Sequence, residues 1–116
     1  MKPFSLPKSQ RISGKTAVSA ILSKGRGGVC GCLRYKWVAR GEDTPSRILV
    51  SVPKKLFKRA VRRNLLKRRI REAYRLQKSV AGPGLDIMFV YLSPEVLPFA
   101  DIYASMTQCL EAMRNE

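Results

Sequence analysis

Residues 54–78 read KKLFKRAVRRNLLKRRIREAYRLQK, and this stretch decides how the rest of the chain must be arranged. Twelve of its 25 residues are lysine or arginine, against a single acid, Glu72. The other 91 residues hold eleven bases and seven acids, an ordinary balance, so the net charge of +15 is mostly the charge of one element. Charge concentrated on one stretch, more than the total, points to a polyanionic partner.

Laid on a helix that advances about 100° per residue, the segment separates into faces. With Val61 at the origin, Leu66, Ile70, Ala73 and Tyr74 fall between about 120° and 220°, an apolar stripe fit to dock on a sheet. Asn64, Lys67, Arg68, Arg71 and Arg75 fall between about 240° and 340°, one amide and four cations in a row. Leu65, Arg69 and Leu76 make a mixed shoulder beside Arg62. Arg63 points nearer the apolar side, close enough to the helix start to reach round its end. Lys54, Lys55, Lys58 and Arg59 carry the basic surface into the preceding loop.

A merely solvated charged face interleaves acids with bases at i,i+4 spacing. Only Glu72 does so here, and the pairs Lys67/Arg71 and Arg71/Arg75 repel by about 0.3 kcal/mol each. A helix that keeps such repulsion suits phosphates. Arginine outnumbers lysine from Arg62 to Arg75, and guanidinium forks grip phosphate with two bonds and stack on exposed bases. A helix lying on a membrane would leave its apolar stripe free for lipid, whereas this stripe is needed for the core, so no membrane partner is expected.

Composition narrows the chemistry. With 116 residues, 45% apolar and 27% charged, the chain reads as a single globular domain over 1–116. No run approaches the length of a membrane span, and MKPFSLPKSQRISG has no apolar signal core, so a cytoplasmic location is expected. There is no histidine, which removes His-based acid–base and nucleophilic catalysis and His-containing zinc sites. Cys30 and Cys32 have no second pair to complete a tetrahedral zinc site, and with Cys109 the count is odd, against a disulfide framework. The cysteines read as small buried or half-buried residues.

Along the chain, residues 1–12 look extended. Ser13 offers an N-cap to a short helix over 13–24, in which Ala17, Val18, Ile21 and Leu22 recur at helical spacing and Gly25 is the stop. Residues 25–32, rich in glycine, read as irregular or as a strand entered through a turn. Leu33, Tyr35 and Trp37 alternate with Arg34 and Lys36, and Ile48, Val50 and Val52 share a face of a second strand. The turn 41–45 between them suggests a hairpin. Gly82-Pro83-Gly84 ends the basic segment. Residues 86–92 (DIMFVYL) are apolar on both faces, as a central covered strand requires. Pro98 opens a closing helix with Phe99, Ile102, Tyr103, Met106, Cys109, Leu110 and Met113 at helical spacing. The outline is an α+β, two-layer α/β sandwich.

The run Lys54-Lys55, Ala60-Val61, Arg63-Asn64, Lys67-Arg68, Arg71-Glu72 closely resembles the signature of the bacterial ribonuclease P protein subunit. The opening Leu6-Pro7-Lys8-Ser9, the helix after it and Lys24-Gly25 also look like that family's start. The resemblance implies a ribosomal protein S5 domain 2-like fold with a left-handed βαβ crossover presenting the basic helix. It implies that the large RNA subunit is the catalyst, removing the 5′ leader of precursor tRNA with Mg²⁺ held mainly by the RNA. No catalytic residue and no protein metal site are then expected, and no protein oligomer is implied. The RNA-binding set carried over is Lys54, Lys55, Lys58, Arg59, Arg62, Arg63, Asn64, Lys67, Arg68, Arg71 and Arg75.

The family also holds the single-stranded leader in a cleft between the first helix and the sheet. The candidates for it here are Lys15, Val18, Leu22, Tyr35 and Trp37. Two departures stand out: Leu65 replaces the usual third cation of the R-N-R triplet, and Val18 and Leu22 replace aromatic residues on the first helix. Stacking of leader bases would then fall to Tyr35 and Trp37, which read equally well as core or edge aromatics. The alternative is a ribosomal or RNA-assembly protein, sharing the basic helix without a nuclease role. A protein-only nuclease would need clustered carboxylates, and Asp86 and Asp101, the central acids, are separated by a strand and a turn.

Overall fold

In a computed structural model of the chain, residues 11–12, 15–41 and 44–115 are described, Lys15 by its backbone alone. The extended segment expected at 1–10, the Leu6–Ser9 opening, the Ser13 cap and part of the turn at 42–43 lie outside these residues. The elements are α1 (Lys15–Lys24), β1 (Arg26–Cys30), β2 (Leu33–Ala39), β3 (Arg47–Ser51), α2 (Ala60–Gln77), β4 (Leu85–Tyr91) and α3 (Phe99–Arg114), with a 3-10 turn at Lys78–Val80.

The sheet is ordered β1-β2-β4-β3. The glycine-rich segment is a strand, pairing antiparallel with β2 from Arg26↔Trp37 to Cys30↔Leu33. β4 lies between β2 (antiparallel, Tyr35↔Phe89) and β3 (parallel, Val50↔Phe89). The hairpin expected between 33–38 and 47–52 is therefore corrected: those strands never pair. The physical reason is β4 itself. A strand apolar on both faces is best buried in the middle of a sheet, and it inserts where the hairpin would have closed. β3 then reaches β4 through α2, a β3–α2–β4 crossover that holds the basic helix against the sheet.

One face of the sheet carries the core. Leu33, Tyr35, Ile48, Val50, Ile87, Phe89 and Tyr91 meet Leu66, Ile70, Ala73 and Tyr74 of α2 and Ile102, Met106, Cys109 and Leu110 of α3. Burial of Leu66, Ile70, Ala73 and Tyr74 reproduces the apolar stripe computed from the sequence. The helix α1 takes the other face. Its Ile21 is fully buried yet stands outside that core, and Lys36, whose neighbour Tyr35 points into the core, reaches the Leu22 carbonyl at 3.4 Å.

Two polar fixtures hold the ends of the sheet. Asp86, 3% exposed, accepts from Arg47 Nε at 2.9 Å and Nη2 at 2.7 Å and pairs with Arg40 Nε at 2.8 Å. This clamps β3 to β4 and ties in the end of β2. At the other end the β1–β2 turn sits on α3. Gly31 has φ +59°, a Cβ there would fall 2.2 Å from Ser105 Oγ, and Ser105 Oγ accepts from Cys32 N at 3.1 Å. One turn along α3, Cys109 meets Cys30; all three thiols are free, and burial first, then Cys30, pushes the Cys109 pKa well up.

Candidate nucleic-acid interface

The site is built on α2 and the loop before it. Pro53 O accepts from Leu56 N at 3.1 Å and Phe57 N at 3.3 Å, so residues 53–57 turn tightly and Phe57 is buried against Tyr91. That fastening leaves Lys54, Lys55, Lys58 and Arg59 exposed. Arg59 occupies the N-cap without a side-chain hydrogen bond, and the first turn of α2 has no acid. The positive end of the helix dipole therefore adds to the basic surface instead of being offset.

The cations named from the sequence divide by what they touch. Arg62, Asn64 and Arg68 are exposed; Lys67 and Arg71 are half-buried along their stems, with no ion pair among the described residues. Burial, and after it the nearby Arg11, draws the Arg71 pKa below that of an ordinary guanidinium. Arg63 turns back, as its angle suggested, and Nη1 donates to Phe57 O at 2.7 Å and Lys58 O at 2.9 Å. It shapes the loop. Arg75 joins Glu72 at 2.5 Å, which raises its pKa, so the last cation of the stripe is the one with a counter-charge. Arg69, on the mixed shoulder, donates to Leu97 O at 2.5 Å ahead of α3.

The two flanks of α2 are therefore unlike. The shoulder with Arg69 and Gln77 fastens to α3, where Gln77 Nε2 donates to Tyr103 O at 3.1 Å. On the other flank Tyr74 lies beside Ser46 ahead of β3, and Lys67 and Arg71 follow Tyr74 on that side of the helix. Leu65, in place of the usual cation, is half-buried on the α3 side.

The leader-cleft candidates do not come together. Val18 and Leu22 share a face of α1, Val18 half-buried and Leu22 53% exposed. Lys15 begins the helix, and its side chain is outside the described residues. Tyr35 and Trp37 are corrected: Tyr35 is 5% exposed in the core and Trp37 packs against that core, both on the face opposite α1. Alternation set them on one side of β2, but nothing in a strand's own pattern says which side a distant helix covers. The residues that do share the α1 side are the even-numbered ones, Arg34 and Lys36, which sequence reasoning passed over; Val29, opposite Arg34 in the register, adds an exposed apolar group.

Chemically, the surface offers charge and hydrogen-bond donors. Among the described residues no three His, Cys, Asp or Glu side chains are grouped to hold a metal ion, and no helix is long and apolar enough to cross a membrane. The buried acid Asp86 is already held by two guanidiniums.

By class this is a small basic α+β protein with one helix face that is largely free of acids. Residues 6–114 match the family described as Ribonuclease P, and the chain belongs to that family. The ribonuclease P protein component of Porphyromonas gingivalis is 34% identical over 116 residues, covering 92% of this chain and 85% of that protein. The solved RNase P protein of Staphylococcus aureus has a TM-score of 0.79 at 28% identity, covering 90% of this chain and 95% of that one. The RNase P protein of Thermotoga maritima, at 24% identity, has a TM-score of 0.77 over 88% of this chain and 96% of its own, a likeness of fold.

Proposed function

We propose that the chain is the protein subunit of ribonuclease P, an accessory to an RNA-catalysed endoribonuclease that matures the 5′ end of tRNA. The carrying observation is that most cations of the family's helix signature are exposed or half-buried with no ion pair among the described residues. Lys54, Lys55, Lys58, Arg59, Arg62, Asn64, Lys67, Arg68 and Arg71 grip the RNA subunit through its phosphates. Arg63 and Arg75 act indirectly, one by shaping the loop and one by ending the stripe. The precursor's leader lies along the α1 side of the sheet, against Val18, Leu22, Arg34 and Lys36, held by charge and apolar contact without aromatic stacking.

Mg²⁺ belongs to the RNA in this reading. Among the described residues the donors do not suit a resident ion, since Asp86 is committed to Arg40 and Arg47. A hard dication with a preference for oxygen ligands is better served by RNA phosphates.

Reconstitution with a bacterial ribonuclease P RNA on precursor tRNA at low Mg²⁺ tests the proposal. The chain alone should be inert, and chain plus RNA should cut at the 5′ end of the mature tRNA. Cleavage by the chain alone, or no rescue of the RNA, would refute it.

A further inference from the structure

A cavity of about 340 Å³ opens where the end of α2 meets the chain entering β3. Pro45 and Pro83, both exposed, stand in its walls, and Tyr74, buried and set against Phe89, closes its inner end. Hydrogen bonds fix the frame. Ser46 Oγ donates to Gly82 O at 2.8 Å and accepts from Leu85 N at 3.0 Å, which ties the segment ahead of β3 to the loop ahead of β4. Gly82 N donates to Lys78 O at 3.3 Å and closes the 3-10 turn that carries Lys78 and Ser79 at the cavity rim. The cavity is thus a fixed part of the fold.

Its place says more than its size. Tyr74 stands three residues after Arg71 and seven after Lys67, so the cavity opens on the same side of α2 as these two cations. Lys78, exposed, follows Tyr74 by four residues. A phosphate chain gripped along that row runs to the cavity mouth. A ligand that suits both features must carry anionic groups in series and a compact apolar group beside them, and a nucleotide strand does. The volume is near the low end of the roughly 300–1,000 Å³ of ligand clefts, room for one base and little more. Pyrrolidine rings present C–H faces on which a base can pack, and every base has a π-face to offer. Ser79 adds a hydroxyl that can donate to or accept from the base edge. We infer that this cavity takes one unpaired base of the RNA, splayed out of the strand whose phosphates lie along Lys67 and Arg71. The inference rests on the proposed RNA partner and deepens it: the face of α2 holds backbone by charge, and the cavity beside it selects a single-stranded position.

Nuclear magnetic resonance on the folded chain tests the cavity directly. Millimolar adenosine 5′-monophosphate should shift the amides of Ser46, Ser79 and Gly82, and ribose 5-phosphate, which lacks the base, should not. Ser79→Phe fills the cavity from its exposed rim. It should abolish those shifts and weaken binding to a bacterial ribonuclease P RNA about tenfold, as loss of one packed base requires. The slope of log affinity against log salt should stay unchanged, because no phosphate contact is lost. Pro83→Ala, which removes a wall without filling the space, should weaken binding about threefold. Thermal melts check that both variants fold. Equal shifts by ribose 5-phosphate would mean a phosphate site, and shifts by indole but not by the nucleotide would mean a partner protein's aromatic side chain; either result overturns the inference. Full RNA affinity in Ser79→Phe, with Arg68→Ala weakened in parallel, would sink it and leave the RNA partner standing. Failure of the unaltered chain to bind the RNA would sink both.

Discussion

Arg68 and Arg69 are neighbours with the same charge, and they should give opposite results. Arg68 is exposed on the basic face, whereas Arg69 Nη1 donates to Leu97 O at 2.5 Å on the α3 side. With about six cations of the surface on phosphates, the slope of log affinity against log salt is near −5, about a thousandfold loss from 50 to 200 mM. Arg68→Ala removes one contact, so the slope should fall by about 0.9 and affinity at 150 mM about fivefold, equivalent to about 1 kcal/mol. Its melting temperature should stay within about 2 °C, as for a surface substitution away from any fixture. Arg69→Ala should leave the slope unchanged. It should lose about 1 kcal/mol of stability, a drop of about 4 °C in a domain this size, because a charge-assisted bond to the α3 entry is gone. Filter binding or fluorescence titration at four salt concentrations, with thermal melts, reads both quantities. Equal loss of slope in the two variants would refute the division of α2 into a phosphate face and a packing shoulder.

The ion cluster at the sheet end gives a different signature. Asp86→Asn leaves two guanidiniums facing each other and should destabilise by about 2 kcal/mol, below the usual loss of about 3–5 kcal/mol for a broken buried pair because both arginines keep some solvent. Chemical denaturation with RNA affinity measured in parallel checks it. Alkaline stability should fall in a defined window: burial raises the pKa of Cys109, Tyr74 and Tyr91 in the folded chain. Their contribution is complete below the unfolded values and is lost as pH rises, so the denaturation midpoint should decline above about pH 9, where free thiols and then phenols ionise. Between pH 6 and 8 it should be flat, with no histidine to titrate. Lys36→Ala should weaken binding of leader-bearing precursor tRNA by the reconstituted enzyme about threefold and spare leaderless tRNA, while Trp37→Phe, on the opposite face, should leave the ratio of the two affinities unchanged.

Much of this arrangement is written in local periodicity. The stripe Leu66–Ile70–Ala73–Tyr74 follows from helical geometry alone, and it is buried as computed. The doubly apolar 86–92 run foretold a central strand, and β4 is that strand. Pairing was less accessible. Residues 33–38 and 47–52 look like a hairpin because only a short turn divides them, and the partner that separates them lies far downstream. Tyr35 and Trp37 failed for a related reason: a pattern of period two fixes which residues share a face but not which helix covers it. Arg11 carries no local signal at all: its bridge to Ile48 depends on residues 11–12 lying along β3, a contact made only in the folded chain. Arg63 and Arg69 already stood off the basic stripe by their helical angles, and each turns to a backbone carbonyl; what the angles did not give is which carbonyl.

The insertion of β4 between β2 and β3 also sets the order in which the molecule can assemble. Apart from its bridge to Arg11, Ile48 must wait for Ile87 before it has a strand neighbour, so β3 cannot join the sheet until most of the chain has been synthesised. Contacts of such sequence separation form slowly, because the loop between them must close first. During that interval α2 has its cations but no platform, and its apolar stripe is open to solvent. The nascent protein is then a polycation with an uncovered hydrophobic seam, the kind of intermediate that aggregates or binds anions indiscriminately. Completion of one late strand removes both hazards together, which makes the last third of the chain the point at which selective recognition begins.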